Sequence, residues 1–134
     1  MEDDAIDDAI SQSPPTEDKL EFLLKEQMRL AQEIDQNRNK MQNVYKTPEV
    51  FAGYRIFMLS SALLHEVMEL QRETNWKWWK TPRKVSMERC QEEVIDMWHF
   101  LLQLSMEVGM DANTIVTKYL QKKKKNINRQ KDGY

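Results

Sequence analysis

The stretch Ser86–Gly109, SMERCQEEVIDMWHFLLQLSMEVG, decides the fold. Met97, Phe100 and Leu104 recur at the three- and four-residue spacing of one helical face. Ser86 can cap the start and Gly109 can stop the end, so the expected helix covers about 86–108. Three further helices read outward from it. Leu20, Leu23, Leu24, Gln27, Met28, Leu30, Ala31 and Ile34 trace a stripe from a start near Thr16, the expected cap, to about residue 43. Pro48 suits the first turn of a second helix over roughly 49–74, with Phe51, Tyr54, Phe57, Leu59, Leu63, Val67 and Leu70 in its apolar set. Asp111 can cap a last helix over 112–125, carried by Ile115, Val116, Tyr119 and Leu120. The expected fold class is all-α, a helical bundle of about four main helices.

Composition agrees. The chain of 134 residues contains only 3 Gly and 4 Pro, too few breakers for a sheet protein rich in tight turns. Its single cysteine, Cys90, excludes an internal disulfide and a cysteine zinc cage. No apolar run approaches the ~20 residues that span a bilayer, and Met1-Glu2-Asp3-Asp4 is opposite in charge to a secretion signal. A cytoplasmic protein with no membrane partner is expected (the host's cytoplasm for a phage-borne gene). The net charge of −2 hides a polarised chain: residues 1–8 carry Glu2, Asp3, Asp4, Asp7 and Asp8 and no basic side chain, whereas 118–131 hold Lys118, Lys122, Lys123, Lys124, Lys125, Arg129 and Lys131 and no acid. Residues 1–15 read as a flexible acidic arm, 16–125 as the all-α domain and 126–134 as a mobile basic tail.

Two acid pairs carry the chemistry. Glu66-x-x-Glu69 and Glu93-x-x-Asp96 each set two carboxylates one turn apart on a helix. Solvated faces are one reading of such pairs. A second follows from their neighbours: Leu59, Ala62 and Leu63 lie in line with Glu66, and Met97, Phe100 and Leu104 with Glu93 and Asp96. Carboxylates among apolar residues need a cation, and a hard divalent ion such as Mg²⁺ suits oxygen ligands. The basic C-terminal segment is then the other half of a polyphosphate site, although alone it reads as a solvated tail or a nonspecific nucleic-acid contact. Lys77 and Lys80 stand beside Trp76, Trp78 and Trp79, which either wall a base or plug the bundle.

Taken together, these residues resemble a family. The two acid pairs, 23 residues apart, look like the signature of the all-α, MazG-like nucleoside triphosphate pyrophosphohydrolases. Trp76-Lys77-Trp78-Trp79-Lys80, Asp96-Met97-Trp98-His99-Phe100 and Asn126-x-x-Arg129-Gln130-x-x-Gly133-Tyr134 are similar to the dimeric dUTPases within that group. The resemblance implies hydrolysis of dUTP, and of dUDP, to dUMP in a homodimer, with no nucleic-acid partner. It implies Mg²⁺ on Glu66, Glu69, Glu93 and Asp96, with Glu66 and Glu69 as the catalytic pair and Glu66 orienting or deprotonating the attacking water. It implies phosphate binding by Lys77, Lys80, Lys122, Asn126 and Arg129. Gln27 would hydrogen-bond uracil, with Trp79 and His99 as pocket walls, or His99 would brace Asp96. Ala31 and Lys123 stand where the family pattern has asparagine. The alternatives are a MazG-like pyrophosphatase acting on dCTP or on many nucleotides, and a non-catalytic helical partner protein with a basic nucleic-acid-binding tail.

Overall fold

The computed structural model describes residues 16–38 and 48–133. Among these the fold is α1 (Lys19–Arg38), α2 (Pro48–Arg72), α3 (Met87–Glu107) and α4 (Ala112–Lys131), with no strand. No helix is long and apolar enough to cross a membrane among the described residues. The expected arm and the expected continuation of α1 toward residue 43 lie outside the described residues.

Local chemistry sets the boundaries. Asp18, not Thr16, caps α1: its carboxylate accepts from the Glu21 amide at 2.9 Å, the third position into the helix, where the cap geometry places an unpaired N–H. Ser86 caps α3 by accepting from the Arg89 amide, and Asp111 caps α4 by accepting from the Thr114 amide at 2.8 Å. Between them, α3 ends in a Schellman turn. The Gly109 amide donates to the Met106 carbonyl and the Met110 amide to the Ser105 carbonyl, with Gly109 at φ +80°. The last helix runs six residues past the expected 125, to Lys131. Asn126 and Arg129 are therefore on α4.

α2 and α3 form the principal antiparallel pair, α1 packs on α3, and α4 touches α1 lightly. Among the described residues the core is thin: Leu24, Leu59 and Leu102 are the buried apolar side chains, joined by Gln27 and Ser105. A partly buried ionic triad ties α1, α2 and α3 together. The Arg55 guanidinium of α2 donates to Glu107 of α3 at 3.0 Å and lies 3.6 Å from Asp35 of α1. Large apolar residues meanwhile remain outside. Phe57 is 66% exposed and Leu64 60%, seven residues apart on one face of α2, and Ile95, Trp98 and Leu101 are exposed on α3. Among the described residues, nothing packs on these outer faces of α2 and α3.

The Gly109 turn gives a clean test of the α3–α4 junction. A Cβ there meets nothing within 4 Å, so the cost of a side chain is the left-handed backbone alone. Gly109→Ala is expected to lower unfolding free energy by about 1–2 kcal/mol in urea denaturation.

Candidate functional site

The antiparallel packing of α2 on α3 brings the two acid pairs to the same level of the bundle. One carboxylate oxygen each from Glu66, Glu69 and Glu93 lies within 4.8 Å of the others. Asp96, one turn along α3 from Glu93, stands beside this triad, and its charge acts on both Glu66 and Glu93. Glu66 and Glu93 are half-buried, and Glu69 faces solvent.

Two oxygens stand out. Oε2 of Glu66 and Oε2 of Glu93 are closed from solvent and accept no hydrogen bond among the described residues. A buried acceptor without a donor is costly, and a carboxylate more so. Removal from water pushes the Glu66 carboxyl above its ordinary value, and the charges of Glu69 and then Asp96 push it further. The same order of causes raises Glu93. Three or four oxygen donors, crowded and short of positive partners, are the donor set a hard divalent cation takes. The residues present fit Mg²⁺.

The remaining expected site residues fall into three other places. Lys77 and Lys80 line a cavity of about 360 Å³ in the α2–α3 connection, together with Arg72, Asn75, Trp76 and Arg83. A double hydrogen bond closes this loop: the Asn75 amide donates to the Arg83 carbonyl and its oxygen accepts from the Arg83 amide, both at 2.9 Å. Trp79 is not in that lining. It meets Trp76 and Trp78 edge-to-face, at 5.9 and 5.5 Å between ring centroids, and is itself exposed. Lys122, Asn126 and Arg129 share a cavity of about 540 Å³ along α4 with Tyr119 and Gln130. Neither cavity includes a residue of the acid cluster.

Gln27 and His99 do meet. His99 Nδ1 lies 2.7 Å from Gln27 Oε1, while Gln27 Nε2 donates to Gln103 Oε1 at 3.2 Å. With both ends of its amide engaged and only 5% of its surface exposed, Gln27 is a bridge between α1 and α3.

Sequence reasoning passed over Gln103, Arg72, Arg83 and Asn75. Gln103 had a visible signal, since Asp96, His99 and Gln103 repeat at i, i+3 and i+7 on one face of α3. Arg72 follows Glu69 by one turn. Asn75 and Arg83 pair across a loop, a contact that no periodicity announces.

A family model described as dUTPase matches residues 19–114, which include all four acids, both Gln27 and His99, and the tryptophan–lysine loop. Comparison with curated proteins and with solved structures gives no match.

The crowded carboxyls have a pH signature. A carboxyl raised on folding stabilises the fold fully below its ordinary value and loses that contribution as pH rises through the raised one. With metal chelated, melting temperature should therefore fall as pH climbs from the ordinary glutamate range through the raised values of Glu66 and Glu93. Glu66→Gln should flatten this slope and melt higher than the parent at neutral pH, as read by scanning calorimetry.

Proposed function

The chain belongs to the all-α dimeric dUTPase family, which makes it a dUTP diphosphatase at the level of the family, and from this premise we propose a Mg²⁺-dependent reaction centred on the acid cluster of α2 and α3. The observation that carries the proposal is the convergence of Glu66, Glu69 and Glu93 with two of their oxygens buried and without donors. Glu66, Glu69, Glu93 and Asp96 would hold the ion. Bound there, Mg²⁺ supplies Lewis-acid stabilisation of phosphate charge and a lowered pKa for water.

The chain's own groups do the rest. Glu66 Oε2 is shielded from bulk water and held near charges that favour protonation, so it is suited to take the proton of the attacking water. That water cleaves the α–β phosphoanhydride of dUTP, giving dUMP and pyrophosphate, and dUDP has the same bond to offer. Lys77 and Lys80 in the loop cavity, and Lys122 and Arg129 on α4, neutralise the phosphates, to which the Asn126 amide donates a hydrogen bond. Because these groups line separate cavities, a complete site requires either closure of the C-terminal segment or a second copy of the chain.

A second copy is also what the outer faces require. Phe57 and Leu64 on α2, with Ile95, Trp98 and Leu101 on α3, form apolar surface of the kind buried between obligate subunits. A homodimer joined there places two α2–α3 pairs against each other. Sedimentation equilibrium should give the mass of two chains, and Leu64→Glu should shift it toward one. A parent protein with the mass of one chain overturns the dimer.

The activity test is pyrophosphate release from dUTP, dCTP, dTTP and UTP, with and without Mg²⁺. Preference for dUTP that vanishes on chelation is expected, with Glu66→Gln lowering kcat by about a hundredfold or more. Equal rates on all four would instead favour the broad MazG-like pyrophosphatase.

A further inference from the structure

We propose that Asn75 is a positioning residue for the phosphate-binding lysines: its side-chain amide, bridged to the backbone of Arg83, closes the loop after α2 and holds Lys77 and Lys80 at one cavity before a nucleotide arrives. The proposal rests on the phosphate role given to those lysines above, and on the hydrogen bonds of the loop for its physics.

Burial does little to fix this loop. Every residue from 74 to 84 is exposed, and none belongs to a helix or strand. Three hydrogen bonds act instead. Asn75 Nδ2 donates to the Arg83 carbonyl, and the Arg83 amide donates to Asn75 Oδ1, both at 2.9 Å. A peptide N–H only donates and a peptide carbonyl only accepts, so both ends of the Asn75 amide have a fixed role. The third bond pins the closed loop to the body of the fold. Arg83 Nη2 donates at 3.0 Å to the carbonyl of Arg72, the last residue of α2, where a helix leaves its carbonyls without partners. Arg72 lies one turn past Glu69, about 4.5 Å along the helix axis. The anchor of the loop is therefore tied to the end of α2 that carries the acids.

Inside the closed loop the charges are one-sided. The Lys80 amide donates to the Lys77 carbonyl at 2.9 Å, a turn that sets the two lysines at its ends, within about 7 Å of each other between Cα atoms. Lys77 Nζ lies 5.1 Å from the centre of the Trp76 ring, and Trp76 meets Trp79 edge-to-face. Arg72 and Arg83 line the same cavity, and no acid does. Glu73, the acid nearest in sequence, is directed instead at Arg89 of α3, 4.0 Å away. Cations gathered at one cavity repel, and an exposed chain would relieve that repulsion by opening. The Asn75 bridge opposes the opening. It leaves an anion site already assembled, so a phosphorylated ligand binds without having to order residues 76–82 as it does so.

The test separates positioning from direct contact. In the full-length wild type, ¹⁵N-resolved hydrogen exchange should show the Arg83 amide exchanging more slowly than in an unstructured chain; an unprotected amide overturns the bridge whatever the kinetics. Asn75→Ala should release that amide and raise KM for dUTP about tenfold, with kcat changed less than about twofold, the pattern of lost ground-state binding. The dissociation constant of inorganic pyrophosphate, read by titration calorimetry, should rise in parallel. In a protein that already carries Lys77→Ala and Lys80→Ala, adding Asn75→Ala should raise KM less than about twofold, because the groups it positions are gone. A full tenfold effect in that background means that Asn75 acts on its own, and it contradicts the proposal. Should Asn75→Ala not fold, Asn75→Ser, too short to span both bonds, takes its place with the same outcomes. If the two lysine substitutions leave KM unchanged, the phosphate reading fails and the positioning role with it. If they raise KM and Asn75→Ala does not, positioning alone fails. Should the wild type not turn over dUTP, pyrophosphate binding carries the same comparison.

Discussion

Four carboxylates on two antiparallel helices, two of their oxygens shut away from water without a donor, are the constraint around which this chain is arranged. Folding the α2–α3 pair forces like charges together at a cost that burial and repulsion both increase. Apolar contacts do little to offset it, because the fully buried apolar core among the described residues is three leucines. A divalent cation converts that liability into a clamp: the same oxygens that strain the metal-free bundle would join α2 to α3 when an ion is bound. On the proposed reading, function and fold stability share one set of side chains.

The basic groups proposed to hold phosphate lie apart from that cluster. Lys77, Lys80, Arg72 and Arg83 gather in the loop leaving α2, where the Asn75–Arg83 pairing shapes the cavity. The lysines of α4 stand on a helix only lightly attached to the body. Acid and base groups held apart within one chain avoid neutralising each other, which would leave neither free for a phosphorylated ligand and its metal. The thin core and the outer apolar faces of α2 and α3 are what the proposed homodimer would use: a second copy would add hydrophobic burial to that of the described residues.

Much of this was legible in the residues. Ser86, Gly109 and Asp111 announced the α3–α4 boundary because capping and left-handed turns are local chemistry, decided within a few residues. Glu66, Glu69 and Glu93 were legible as a group because their apolar neighbours aligned them with the interior faces of two helices. Asp18 was missed in favour of Thr16 because both are competent caps, and the choice between them depends on where packing starts the helix. The end of α4 was missed because a run of lysines carries no apolar period, although lysine itself is a good helix former. The contacts of Gln27 with His99 and Gln103 were not legible, because they are set by how α1 lies on α3, a tertiary fact. Asn75 and Arg83 likewise meet only once the loop is closed.

The central claim is that the α2–α3 acids are a divalent-cation site, and paramagnetic mapping tests it most directly. Mn²⁺ added in small amounts to ¹⁵N-labelled protein broadens the amide resonances nearest the bound ion. The account predicts that Glu66–Glu69 and Glu93–Asp96 broaden first and together, and that excess Mg²⁺ restores them. Broadening centred instead on other acids, such as Asp18, Glu21 and Asp111 at the α1–α4 groove, or no selective broadening at all, would contradict it.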